Sequence, residues 1–281
     1  MMHTLTDLRA AVIDMDGVLW EGDRALPGLV EFFAALRRRG LPFVLATNNA
    51  SRTPDQYLAK LAGFGVSVAR AEVLTSAQAT ALYLQQAAGI NNGRRPRVFA
   101  IGDDGLRQAL TEAGFDLLGL YELNADYVVC GMDRGLSWDK LATASLNIRA
   151  GARFVGTNPD RSLPTERGLT HGNGAILAAL QTATDVAPVV IGKPEPIMYQ
   201  QALRRLGAAP AHTLAIGDRL DTDILGAIRA GLPSLLVLTG ITTAAEAAAA
   251  AGTSAAPTWV LPSIVEFAHL LEQAAAGDDH P

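Results

Sequence analysis

A short apolar run, Ala10 to Ile13, stops at Asp14-Met15-Asp16-Gly17. A run of this kind that ends at carboxylates and a glycine reads as a buried strand reaching a loop. Open α/β sheets bind ligands just beyond the carboxyl ends of their parallel strands. Two carboxylates this close repel one another, so a positive partner is required. A hard divalent cation such as Mg²⁺ suits oxygen ligands.

Strand and helix patterns alternate from there. Pro27-Gly28 opens a helix to Arg39 with Leu29, Phe32, Phe33 and Leu36 on one face, and Gly40 ends it. Pro42–Ala46 reads as a second buried strand, followed by Thr47-Asn48-Asn49. Thr53-Pro54 caps the next helix, and Glu72–Leu74 and Thr75–Ala88 follow as strand and helix. Ile90–Pro96 is dense in turn formers and reads as a break. A second βα series runs through strands Val98–Ile101, Tyr127–Cys130 and Phe154–Gly156, with helices Gly105–Ala113 and Trp138–Ala150. Thr157–Asn173 reads as a long irregular stretch, of a kind that is often functional. Pro188–Ile191 and Thr213–Ile216 are strands ending at Gly192-Lys193 and Gly217-Asp218. A helix begins at Asp221 or Thr222, and Trp259–Ala275 supplies a final strand and helix before a frayed tail, 277–281. Repeated βα units predict an α/β protein with a doubly wound parallel sheet.

With 281 residues and 49% hydrophobic content, the chain can fill one large core or two smaller ones. A net charge of −5 without a block of lysine and arginine makes a poor candidate for sequence-independent nucleic-acid binding. Arg37-Arg38-Arg39 sits at a helix end, where cations are favoured. No run approaches a membrane span, and the first residues lack the apolar centre of a secretory signal. A cytoplasmic protein with no membrane partner is the expectation. Cys130 is the only cysteine and lies in an apolar strand, so it reads as a structural thiol.

Polar residues then stand at four predicted strand ends: Asp14 with Asp16, Thr47 with Asn48 and Asn49, Lys193, and Asp218 with Asp223. One parallel sheet would bring all four to the same edge. The carboxylates can hold Mg²⁺, while the hydroxyl, amides and ammonium can contact the oxygens of a phosphate dianion. Phosphoryl transfer needs such positioning and charge neutralisation above all. Asp14 can attack phosphorus, and Asp16 can protonate the leaving oxygen and later activate water.

In order and type, Asp14-Met-Asp16-Gly-Val, Thr47, Lys193 and Gly217-Asp218-Arg-Leu-Asp-Thr-Asp223 resemble the motifs of the haloacid dehalogenase-like (HAD) superfamily. Ala46–Ser51, Thr157-Asn-Pro-Asp160, Gly172-Asn-Gly174 and Gly192-Lys-Pro194 are similar to its subgroup IIA phosphatases, which carry an α/β cap between the second and third motifs. The resemblance spans about residues 10–271. It implies a catalytic HAD-like core over 1–78 and 187–281, and an inserted α/β cap over 79–186 that sets specificity. It further implies a Mg²⁺-dependent phosphatase hydrolysing a small phosphate monoester through an aspartyl-phosphate. Asp14 would be nucleophile and metal ligand, and Asp16 the acid/base, with its carbonyl on the metal. Thr47, Asn48, Asn49 and Lys193 would hold the phosphoryl group, with Lys193 also keeping Asp14 ionised. Asp218 would be a metal ligand, and Asp223 would act through water or behind the ligands. In the Thr157–Thr170 loop, Asn158, Asp160, Arg161 and Ser162 are candidates for contacting the leaving group. The resemblance allows p-nitrophenyl phosphate as an artificial substrate. It leaves open nucleoside monophosphate, phosphoglycolate, glycerol phosphate, pyridoxal phosphate and sugar phosphate. Family habit implies a cap-mediated homodimer.

Other polar residues have blander readings. Asp221 reads as a helix N-cap, Asp103-Asp104 as a helix cap and His171 as a turn residue. A phosphotransferase on the same core, or a non-catalytic phosphometabolite-binding protein, are the alternative functions. A receiver-type signalling domain would be about half as long and would not need Asp16 as an acid.

Overall fold

The computed structural model describes residues 5–88, 94–165 and 167–278. The expected break at 90–96 lies partly outside these residues, as does most of the expected frayed tail. In chain order the elements begin with β1 (Ala10–Ile13), β2 (Trp20–Glu21), β3 (Arg24–Ala25), α1 (Leu29–Arg38), β4 (Phe43–Thr47), α2 (Pro54–Gly63), β5 (Val73–Thr75) and α3 (Ser76–Ala88). Then come β6 (Arg97–Ile101), α4 (Asp104–Glu112), β7 (Asp116–Leu117), β8 (Tyr127–Cys130), α5 (Trp138–Arg149), β9 (Arg153–Gly156), β10 (Ser162–Thr165), β11 (Gly168–His171), α6 (Asn173–Thr184) and β12 (Val189–Val190). The chain closes with α7 (Pro196–Leu206), β13 (Thr213–Gly217), a π-helical turn at Leu220–Ile224, α8 (Leu225–Ala230), β14 (Ser234–Val237), α9 (Ala244–Ala250), β15 (Trp259–Leu261) and α10 (Ile264–Asp278).

These elements form two compact units. The first comprises residues 1–47, 57–74 and 193–281, and the second 48–56 and 75–192. The first unit holds a six-stranded sheet in the order β15-β14-β13-β1-β4-β5. Strand β1 pairs in parallel with β13 and β4, and β13–β14 and β14–β15 are parallel too. This is the doubly wound arrangement expected from the βα repeats, with β1 and β13 at the point where the winding reverses. Alternation along the strands explains why both faces are apolar. Ala11, Ile13, Phe43, Leu45, Leu214, Ile216, Leu235 and Val237 join Phe32, Leu36, Phe267 and Leu271 of α1 and α10 in one buried cluster. Leu236, between two of these, faces the other way and packs with Ile224 and Ala247.

The second unit has its own five-stranded sheet, β12-β9-β8-β6-β7, in which every pairing is parallel. Phe99, Ile101, Val128, Cys130 and Phe154 pack there with Ala144, Ile148, Ile176, Leu177 and Leu180 of α5 and α6. Cys130 is buried, and burial pushes its thiol pKa up, as a structural cysteine requires.

Three expectations need correction. Strand β12 belongs to the second sheet, where it pairs with β9, so Lys193 does not stand at the end of a core strand. The stretch 157–173 is not irregular throughout: β10 and β11 form an antiparallel hairpin in which His171 faces Ser162, making His171 a strand residue. Its strands are short and the second is exposed, so they carry little hydrophobic alternation to read. The unit boundaries fall at 74/75 and 192/193 rather than 78/79 and 186/187, and residues 48–56 join the second unit. Hydrogen bonds from Ser76 Oγ to Asn48 O (2.6 Å) and from Gly105 N to Ser51 O (3.1 Å) tie that segment in.

Phe267 is 1% exposed and its ring lies 6.3 Å from that of Phe32. Phe267→Ala should lower unfolding stability by about 3–5 kcal/mol through a cavity the sheet cannot refill. Urea unfolding, with far-UV circular dichroism as a control for the fold, checks this.

Candidate active site

Three loops of the first unit deliver the buried charges. Strand β1 ends at Asp14, whose N–H donates to Ile216 O across the sheet (2.8 Å). Strand β13 ends at Asp218, and the π-helical turn that follows carries Asp223. Lys193 arrives from the loop before α7. Its ammonium, 4% exposed, donates to Asp14 Oδ1 (2.5 Å), Asp223 Oδ1 (2.6 Å) and Ala46 O (3.1 Å). Asp14, Asp218 and Asp223 each offer an oxygen, all within 4.8 Å of one another. Thr47, the last residue of β4, is 3% exposed.

The remaining hydrogen bonds fix the rotamers of this cluster. Asp218 Oδ2 accepts from Ile241 N (2.7 Å), and Asp223 Oδ2 accepts from Arg219 N (3.2 Å). The Tyr199 hydroxyl donates to Asp223 O (2.9 Å). Two glycines are demanded by space. A Cβ at Gly240 would lie 2.0 Å from Asp218 Oδ2, and one at Gly217 would lie 2.2 Å from Asp223 Cβ. Tyr199 and Gly240 were not singled out from the sequence. Thr239-Gly240 does follow strand β14 at this same sheet edge, which is the signal that could have found Gly240. Nothing local marks Tyr199, which reaches the site through tertiary packing.

Burial pushes the Asp14 carboxyl well above its usual range; Lys193 pulls it down, while Asp223 and Asp218 push it further up. Asp218 is pushed up to about 6, chiefly by burial and then by Asp223. Lys193 is held above the usual ammonium range: burial alone would lower it, and Asp14 and Asp223 outweigh that. Three carboxylates face one ammonium here, an excess of two negative charges. Oxygen ligands with that deficit of positive charge fit one divalent cation.

The Asp16 carboxylate is not part of this cluster. It is exposed, and its Oδ1 accepts a hydrogen bond from the Trp20 indole N–H (2.8 Å). Asp221 is not an N-cap. Its carboxylate pairs with Arg219 (3.0 and 2.9 Å), which holds the Asp221 pKa down. Asp103 does occupy the N-cap position of α4, but its side chain accepts from Arg134 rather than from the helix.

The other predicted residues lie in the second unit and form a network of their own. Asn48 Nδ2 donates to Asp160 Oδ1 (3.1 Å), and Asn48 O accepts from Asn158 Nδ2 (2.7 Å). Asn158 Oδ1 accepts from Asp160 N (3.2 Å), while Asn173 Nδ2 donates to Asn158 O (2.8 Å). Asn49 Oδ1 accepts from Ser51 N and Oγ, closing a local turn. Arg161 and Ser162 are exposed at the start of the β10–β11 hairpin. Asn48, Asn158 and Asp160 thus fasten the segment that follows Thr47 to the loop after β9.

The haloacid dehalogenase-like hydrolase family model matches residues 11–116, and a HAD-like hydrolase model matches 190–267. A 5′-nucleotidase of Bacillus subtilis is 43% identical over 231 residues, 82% of this chain and 87% of that protein. The chain belongs to the haloacid dehalogenase-like hydrolases. An acid sugar phosphatase of Staphylococcus aureus is 41% identical over 236 residues, covering 84% of this chain and 88% of its own. Among solved structures, the glycerol phosphate phosphatase of Mycobacterium tuberculosis, in complex with magnesium, superposes with a TM-score of 0.83 at 38% identity. That match covers 92% of this chain and 76% of the other. In this HAD hydrolase the matched segments contain Asp14, Asp16, Thr47, Lys193, Asp218 and Asp223.

The raised Asp218 pKa gives the site a pH signature. Above about 6 its carboxylate is ionised and attracts a cation; below, a proton competes. Mg²⁺ should therefore raise the melting temperature at pH 7.5, and the shift should shrink markedly at pH 5.5. Differential scanning fluorimetry with Mg²⁺ and with EDTA at both pH values reads this directly.

Proposed function

We propose that this HAD hydrolase is a Mg²⁺-dependent phosphatase that releases inorganic phosphate from a small phosphorylated metabolite through an aspartyl-phosphate. The observation that carries the reading is the buried set Asp14–Lys193–Asp223 with Asp218 beside it. It joins a carboxylate nucleophile to an ammonium and to a seat for a divalent cation. Asp14 and Asp218 would hold the cation together with the Asp16 carbonyl, and Asp223 would support it directly or through water. When bound, the cation supplies the two positive charges the cluster lacks and screens the phosphate from the Asp14 carboxylate.

The side chains then divide the work. Asp14 attacks phosphorus, forming an acyl-phosphate as the bond from phosphorus to the leaving oxygen breaks. Asp16 gives its proton to that oxygen, then takes one from the water that attacks the acyl-phosphate, regenerating Asp14 and freeing phosphate. Lys193 and Thr47 neutralise and orient the phosphoryl oxygens. Lys193 also restrains Asp14, since a buried carboxylate paired with an ammonium has one preferred geometry. Asn48 and Asn49 hold the loop that begins at Thr47, and Asn158, Asp160, Arg161 and Ser162 remain the candidates that the family resemblance offers for choosing the leaving group. The relatives' named substrates support a phosphate monoester and differ in the group it is attached to, a nucleoside, a sugar or glycerol.

Asp14→Asn should lower turnover by about 10³-fold or more while the fold stays intact, because the amide neither attacks phosphorus nor carries charge. Phosphate release from p-nitrophenyl phosphate and from a panel of nucleotide, sugar and glycerol monoesters, with Mg²⁺ and with EDTA, tests the reading. Metal-dependent release that the variant lacks is expected. Release that survives in Asp14→Asn or in EDTA overturns it.

A further inference from the structure

Trp20 is fully buried, yet its one polar atom serves an exposed carboxylate. The indole N–H donates to Asp16 Oδ1 at 2.8 Å, and Trp20 O accepts from Gly17 N at 2.8 Å. The segment from Asp16 to Trp20 is thereby closed on itself by one side-chain and one main-chain bond. It continues into the β2–β3 hairpin, in which Trp20 faces Ala25.

The ring itself is clamped. Tyr57 stacks on it with centroids 6.3 Å apart and 18° between the planes, and Phe64 lies 6.1 Å away. Lys60 places its ammonium 4.6 Å from the ring centroid and donates to Gly22 O at 2.6 Å, so the cation is tied to the hairpin as well. A cation over an indole face draws electron density from the ring and makes the N–H a stronger donor. A buried, stacked indole has no alternative rotamer to adopt, so the direction of its N–H is fixed by packing.

On this geometry we propose that Trp20 is the positioning residue of the general acid, with Lys60 reinforcing it. This inference rests on the reading of Asp16 as the acid/base. The indole occupies Oδ1 and leaves Oδ2 as the oxygen that carries and delivers the proton. Without the indole, the exposed Asp16 side chain is free to rotate about χ1 and χ2, and both oxygens become equivalent. The cost falls on the step in which the leaving oxygen takes a proton. An alkoxide leaving group needs that proton, whereas p-nitrophenolate departs without one. The signature of Trp20 is therefore dependence on the leaving group, which a generally loosened fold would not produce.

The test compares Trp20→Phe, which keeps the stacked ring and removes the N–H, with the unaltered enzyme on two esters. One is p-nitrophenyl phosphate; the other is the best alkyl phosphate of the substrate panel. Trp20→Phe should lower kcat on the alkyl ester by about tenfold or more, with KM little changed, and lower it less than about threefold on p-nitrophenyl phosphate. Equal losses on both esters, or none on either, overturn the proposal. If the unaltered enzyme hydrolyses neither ester, the phosphatase reading has failed instead. A second measurement needs no turnover and no Trp20 variant. The indole N–H proton resonances, assigned with Trp138→Phe and Trp259→Phe, are followed on substituting Asp16→Ala. The Trp20 signal should move upfield as its acceptor is lost, and an unmoved signal overturns the proposal.

Discussion

A lysine buried among three carboxylates is the interaction on which this molecule depends. Lys193 satisfies its three donor positions with Asp14, Asp223 and the carbonyl of Ala46. Removing charges from water costs several kcal/mol each unless they are paired and hydrogen-bonded. Here the pairing is incomplete: among the described residues Asp14, Asp218 and Asp223 share the one buried ammonium of Lys193, with Arg219 also acting on Asp218. Burial first, and the neighbouring carboxylates after it, push Asp14 and Asp218 upward. A divalent cation would offset the excess negative charge, and the phosphoryl chemistry proposed above would use the same residues. On that proposal, stability of this region and catalysis are coupled through one set of charges.

The parallel sheet makes the cluster possible. Only at the edge where β1, β4, β13 and β14 end do Asp14, Thr47, Asp218 and Gly240 converge, and the pairings β1–β13 and β1–β4 set their spacing. The helices α1 and α10 bury one face of this sheet around Phe32 and Phe267, which leaves the loops at the strand ends free to carry polar residues. Glycines finish the arrangement. At Gly217 and Gly240 the backbone approaches the Asp223 and Asp218 side chains more closely than any Cβ would allow.

The sheet of the second unit ends in polar loops too, but with a different balance. Asp133 lies buried there with Lys140 (2.7 Å) and the N–H groups of Gly102 and Gly135, a satisfied pair that leaves no charge to recruit a cation. Asn48, Asn158, Asp160 and Asn173 form neutral or singly charged links that hold loops together. The two units use one architecture. The difference in residual charge at their strand ends separates a group of carboxylates that could hold a cation from a scaffold.

The order of Asp14, Asp16, Thr47, Lys193, Asp218 and Asp223 could be read from the chain, because each interrupts or follows an apolar run and such interruptions are conspicuous. The βα alternation was legible for the same reason, since periodicity is a local property of sequence. Tertiary structure decided what depends on distant partners. It put β12 in the second sheet and so moved Lys193 off a core strand end, and it gave Asp221 to Arg219 instead of a helix N-terminus. It paired 162–165 with 168–171 in a hairpin whose second strand is exposed and carries no hydrophobic alternation to read. It gave Trp20, legible only as an apolar residue, an N–H aimed at Asp16, because the direction of a buried donor is set by Tyr57, Lys60 and Phe64, residues some 40 positions away. Residue types and their order along the chain fix which chemistry is available. Packing fixes which atoms meet, because burial and hydrogen-bond geometry belong to contacts between segments and not to any one of them.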